Sequence, residues 1–202
     1  MAAKAPLVLV VHPSLLVHSV NDLVALSKKK PLSYGSAGNG SGGHLSAEML
    51  KMMSGIDGTH VPYKGAGPAA AAVVGGQLDF QFAALITSKG FIDSGRLRAV
   101  AVTSAKRDPS MPNVPTVAES GYPQFEVINW FGFLAPAKTP KAIVARLNSD
   151  IVKILNESDV RRKLNNEGAE VVGDTSDDFA AFLARDILKW AKVVKAAGMQ
   201  VD

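Results

Sequence analysis

The chain contains no cysteine, which excludes disulfides and thiolate chemistry but leaves the compartment open. Aromatic residues make up only 6% of its 202 residues, and the basic residues are not interleaved with them, so nucleic-acid binding is not expected. No apolar run approaches the ~20 residues needed to cross a bilayer. Residues 7–11, LVLVV, follow a lone Lys4. They are too short for the apolar part of a signal peptide and end at His12-Pro13, so they read as a buried strand. The four histidines, His12, His18, His44 and His60, lack metal-ligand spacing, and neither a metal nor a cofactor is expected. Surface or capping roles suit His12, His18 and His60; His44 differs in lying just behind a glycine-rich loop. The net charge of +4 is modest, and its one basic run, Lys28-Lys29-Lys30, closes a predicted helix where lysines complement the dipole.

What is present is an ordinary globular composition, 47% apolar and 20% charged, long enough for one large domain or two small ones. Strand-like and helix-like segments alternate, which predicts an α/β fold with largely parallel sheets. Ser19 can cap a helix reaching about residue 30, with Asp22 at the capping-box position. Further helices are predicted over 44–54, 68–74 and 88–93, and strands over 7–11, 32–34, 60–63, 78–84 and 97–103. Prolines at 109, 112, 115 and 123 mark a change of composition and the best boundary signal. Beyond it, residues 125–134 alternate like a strand. A helix starting at Pro140 carries Ile143, Leu147, Ile151 and Leu155 on one face. The last helix is capped by Thr175 and stopped by Gly198, with Phe179, Leu183, Ile187, Trp190 and Val194 on one stripe. Trp190 there reads as core, and Trp130 as a packing residue on its strand.

The segment SYGSAGNGSGGHLSAEML, residues 33–50, crowds glycines just ahead of a helix. Bare backbone at a helix start lets an anion approach the unpaired amides and the positive end of the dipole. A triphosphate loop is excluded, because Ser41 stands where its lysine belongs. Gly38, Gly40 and Gly43 satisfy G-x-G-x-x-G, so a dinucleotide- or phosphate-binding enzyme is the alternative reading. The ribose-holding acid is poorly supplied, because Asp57 precedes the next strand instead of ending it. A carboxylate loop uses Ser36, Asn39 and Ser41 as small donors beside the glycine amides. A flexible linker has the same composition. Tyr63 and Lys64 follow a predicted strand, at the edge where α/β folds place ligands, or else form a solvated turn. No nucleophile elbow surrounds Ser36 or Ser41, so catalytic residues are not expected.

Six stretches carry a resemblance: SAGNGSGGHL (36–45), HVPYKG (60–65), GGQLDF (75–80), LRAVAVTSAKR (97–107), PNVPTVAESGYP (112–123) and WFGFLAPAKTP (130–140). In this order they resemble the Bug, or TctC-like, solute receptors of tripartite tricarboxylate transporters. The resemblance implies a type II periplasmic-binding-protein fold, in which two α/β lobes close on a carboxylated metabolite and deliver it to membrane subunits. It implies that Ser36, Ala37, Gly38, Asn39, Gly40 and Ser41 bind the carboxylate, with His44 opening the helix. On this mapping residues 1–12 form an inter-lobe entry strand, residues 13–123 one complete lobe, and residues 124–202 the C-terminal part of the other. The resemblance also leads to the expectation that the family's signal peptide and opening first-lobe section are absent from this chain. Near position 83, where relatives often carry Asp, this chain has Ala83, so the resemblance implies that an acidic contact or structural bond is lost. The expectation is a periplasmic receptor, or a truncated form of one, that forms a homo-oligomer through apolar surface left uncovered.

Overall fold

The computed structural model describes residues 1–199, which divide into two compact units. One comprises Met1–Ala5 and Asn129–Ala191; the other comprises Pro6–Ile128 and the chain from Lys192 on. Strand β1 (Ala3–Val11) leads to α1 (Val20–Ser27), β2 (Leu32–Ser36), α2 (Gly42–Ser54), β3 (Gly58–Pro62), α3 (Ala66–Val74), β4 (Phe80–Ala84), α4 (Leu85–Asp93) and β5 (Arg98–Val102). Then follow β6 (Ile128–Phe131), α5 (Lys141–Leu155), α6 (Ser158–Asn166), β7 (Glu170–Val171) and α7 (Ser176–Ala196). No described helix is long and apolar enough to cross a membrane.

In the second unit the strands run in the order β3-β2-β4-β1-β5. β2 is parallel to β3 and β4, but β1 is antiparallel to β4 and β5. The sheet is therefore mixed, not largely parallel as the alternation predicts. β1 enters between two strands that each belong to later helix crossovers, and it runs against both. Leu7, Val8, Leu9, Val10 and Val11 are all buried, each contributing about 1.5–3 kcal/mol by removal from water. One core cluster joins Val8, Val10 and Ala83 to Ala72 and Val73 of α3 and Leu85 of α4. Tyr34, Phe80, Phe82 and Phe125 are also fully buried, with Phe82 stacked on Phe125. Local signals hold where they are strong. Ser19 and Asp22 form the capping box of α1, and Gly55 ends α2 in the left-handed conformation that glycine tolerates. The proline-rich stretch is tied back to β5: Val102 N–H donates to Pro115 O and Val117 N–H to Val102 O, both at 2.9 Å.

In the first unit β1 pairs with β7 at Ala3 and Lys4, and Ala2 N–H donates to Phe131 O. The alternating run 125–134 yields a strand of only four residues, β6, because residues 131–138 are exposed. Trp130 packs edge-on against Phe179 and Phe182 of α7, and its Nε1 donates to Asp186 Oδ2 at 3.0 Å. Thr175 Oγ1 accepts from Asp178 N–H, so it caps α7 as expected. The stripe of α7 is only partly covered, with Ile187 65% exposed and Trp190 half-buried.

Candidate functional site

β2 ends at Ser36 and α2 begins at Gly42, so the glycine-rich segment is a tight strand-to-helix connection and not a linker. Gly38 (φ +127°) and Gly40 (φ +71°) both occupy backbone conformations that L side chains rarely adopt. Ser41 is the N-cap, its hydroxyl accepting from His44 N–H at 3.4 Å while its carbonyl accepts from Leu45 N–H at 2.9 Å. A Cβ on Gly43 would lie 2.6 Å from the Phe82 carbonyl oxygen. The bare residue thus lets α2 sit directly on β4. The first turn of α2 leaves the Gly42 and Gly43 amides without intrahelical acceptors, at the positive end of the dipole.

The loop is braced from inside. Gly38 N–H donates to Ser36 Oγ at 3.1 Å, Ser36 Oγ–H returns to Gly38 O at 2.9 Å, and Ser41 N–H donates to Gly38 O at 3.2 Å. Gly40 N–H donates to His44 Nδ1 at 3.2 Å. Tyr63 N–H donates to Ser36 O at 3.0 Å, which ties the end of β3 to the loop. The structure therefore brings Ser36, Ala37, Gly38, Asn39, Gly40, Ser41, His44 and Tyr63 together, with Lys64 next in the chain. Ala37, Asn39, Gly40 and Lys64 are exposed, while Ser36 and His44 are buried. Among the described residues Lys64 makes no salt bridge.

His60 belongs to this group, although its position in the chain suggests only a surface or capping role. Parallel pairing sets Tyr34 beside His60, and the Tyr34 ring stacks on it at 5.0 Å. His60 in turn stacks on His44 with centroids 3.7 Å apart, and its Nε2 lies 2.7 Å from Ser36 Oγ. Below them Tyr34 OH donates to Glu48, which also takes Lys51 Nζ at 2.9 Å. Burial, with repulsion from His44 second, pushes His60 down to about 4. Burial also lowers His44, against a smaller opposing pull from Glu48. Tyr34 is raised by burial and by its bond to Glu48. The sequence places Tyr34 and His44 on either side of the loop, but His60 joins them only through the pairing of β3 with β2.

Other chemistries fit poorly. Ser36 lies beside a histidine but is fully buried, so no substrate carbonyl can reach its hydroxyl. Asp57 precedes β3, and because β3 runs parallel to β2 it stands at the opposite end of the strands from the loop, out of reach of a ribose held there. No group of three or more His, Asp or Glu that could hold a metal occurs among the described residues. Gln81 is a further buried polar residue: its Nε2 donates to Ala66 O at 3.4 Å, while its Oε1 has no partner among the described residues.

Residues 1–199 match the model of the tripartite tricarboxylate transporter family receptor. Protein BugT of Bordetella pertussis (strain Tohama I) is 36% identical over 203 residues, covering 100% of this chain and 62% of the relative. A UPF0065 protein in the tcbD-tcbE intergenic region of Pseudomonas sp. (strain P51) is 34% identical over 197 residues, covering 96% and 59%. The chain thus spans about three fifths of the length of these curated relatives. Among solved structures, R. palustris Rpa4515 with adipate superposes with a TM-score of 0.89 at 38% identity, covering 98% of this chain and 67% of that one. MatC from Rhodopseudomonas palustris with bound malate gives 0.84 at 29% identity, covering 95% and 67%. Periplasmic binding protein BugD gives 0.87 at 31%, covering 98% and 68%. The fold is the α/β periplasmic-binding-protein fold over about two-thirds of those chains.

Proposed function

The chain belongs to the tripartite tricarboxylate transporter family of receptors, and on that premise we propose that it binds a small dicarboxylate and presents it to the transporter's membrane subunits. The observation that carries this reading is the braced glycine loop at the start of α2. Its left-handed glycines open the backbone in front of amides that have no intrahelical acceptor. In this reading Ala37, Gly38, Asn39, Gly40 and Ser41 line the carboxylate, Tyr63 walls the loop, and Lys64 supplies the nearest uncommitted cation. Ser36 and His44 serve from below by holding the loop in shape. Solved relatives hold adipate and malate, which supports acids of four to six carbons as ligands.

The reading extends to the periplasm as the working compartment, to residues 13–123 as one lobe and residues 124–202 as part of the other, and to self-association. Self-association is supported by a groove of about 370 Å³ in the first unit, lined by Leu134, Leu147, Ile151, Phe179 and Leu183. Beside it Phe133, Leu134 and Ile187 are each more than half exposed.

A thermal-shift screen tests the ligand class. Adipate, malate, succinate and citrate should raise the melting temperature, with NAD(P) and ATP inert. A shift with the nucleotides alone would replace the receptor reading by the enzyme one.

A further inference from the structure

The stacked imidazoles below the loop each brace one end of it. Assigning the Ser36 hydroxyl proton to Gly38 O at 2.9 Å makes the 2.7 Å contact with His60 an Nε2–H that donates to Ser36 Oγ. His44 does the converse, because its Nδ1 accepts the Gly40 N–H and its own proton therefore sits on Nε2. One ring donates to the start of the loop and the other accepts from its far side, and the two lie face to face at 3.7 Å.

The geometry points to His44 and His60 as a paired positioning device for the ligand loop, which keeps its binding shape only while both rings are neutral. This rests on the reading that residues 36–41 take the carboxylate. Protonating His44 at Nδ1 removes the acceptor of the Gly40 amide and sets two N–H groups against each other. A charge on either ring also faces the other ring. The ionisable groups packed around the pair offer no free counter-charge. Tyr34 from β2 is a neutral phenol, and Glu48 from α2 is already held by the Tyr34 hydroxyl and by Lys51. The depressed proton affinity of both rings agrees with a site arranged for the neutral pair. Neither ring is offered to the ligand as a contact, since His44 is buried and His60 half-buried beneath the loop.

Adipate affinity of the full chain, measured by calorimetry between pH 7.5 and 5, tests the device with two variants. His44→Asn keeps an acceptor close to the Nδ1 position and removes the titration. It should bind near the wild-type level at pH 7.5 and lose less affinity than wild type on acidification; protonation of adipate itself is common to both. His44→Leu should be about 3- to 10-fold weaker at pH 7.5, the cost of one lost hydrogen bond. Wild-type affinity and an unchanged pH profile in His44→Leu would overturn the proposal. A second measurement needs neither ligand nor variant. In the amide NMR spectrum Gly40 should shift with the midpoint of the His44 ring protons. A Gly40 resonance that stays fixed while His44 titrates would also overturn it. If adipate binds at no pH, the carboxylate reading fails, and the Gly40 titration still decides the question of the histidine pair.

Discussion

Thr103 shows how much a single buried hydroxyl can hold. Its Oγ1 accepts from Leu7 N–H at 2.8 Å and donates to Val127 O at 2.7 Å, while its own backbone bonds the same two residues. Thr103→Val keeps the shape but leaves two buried backbone groups without partners. It should destabilise by at least about 2 kcal/mol in denaturant titration, at 1–3 kcal/mol per orphaned group. An unchanged midpoint would show that water replaces the hydroxyl. Nothing in the sequence around Thr103 announces this, because both partners are distant in the chain. The same holds for His60. The loop and the helix behind it are legible as a glycine run before a helix, and so are Ser41 and His44. The meeting of His44 with His60 depends on the register of β2 against β3, which is a long-range choice that no local pattern encodes.

Among the elements, those with strong local chemistry were the readable ones. Caps at Ser19 and Thr175 and the stop at Gly55 each satisfy end groups locally, whereas the capping role of Ser41 emerges only from the structure. α6 and β7 carry no such mark. α6 has no fully buried residue, and β7 is two residues long and exists by pairing with Ala3 and Lys4. The strand predicted over 125–134 shrank to β6 because alternation without burial does not make a ladder. The alternation predicts largely parallel sheets, but β1 runs against β4 and β5, and its sequence shows a buried strand without showing which way its neighbours run. The packing of α2 on β4 is half legible, as the spacing of Gly38, Gly40 and Gly43 without the reason for the last of them. Gly43→Ala places a methyl 2.6 Å from the Phe82 carbonyl oxygen. Since the opposing atom is backbone, the helix must shift, at a cost of about 1–3 kcal/mol. Thermal melting should show the loss; a Gly43→Ala protein as stable as wild type would mean that α2 has room to move.

At the scale of the whole molecule, composition and element order carried the α/β class, and the six ordered stretches carried the family. What they could not carry is how completely each unit covers its own apolar surface. The groove between α5 and α7 is lined by Leu147, Ile151, Phe179 and Leu183, and Phe133 and Leu134 stand exposed at its rim. Surface of this kind favours association, so light scattering after size exclusion should give a mass above one chain, and Leu147→Lys should lower it. A monomer at all concentrations would contradict this. The central claim, that the loop at the start of α2 holds the carboxylate, is tested most directly by titrating adipate into the wild type and Gly40→Val by calorimetry. Gly40 has open space around it and φ +71°, so valine meets no neighbour but resists the backbone conformation, at about 1–3 kcal/mol. The account predicts heat of binding in the wild type and none in a Gly40→Val protein that keeps its circular dichroism. Equal adipate affinity in the two would contradict it.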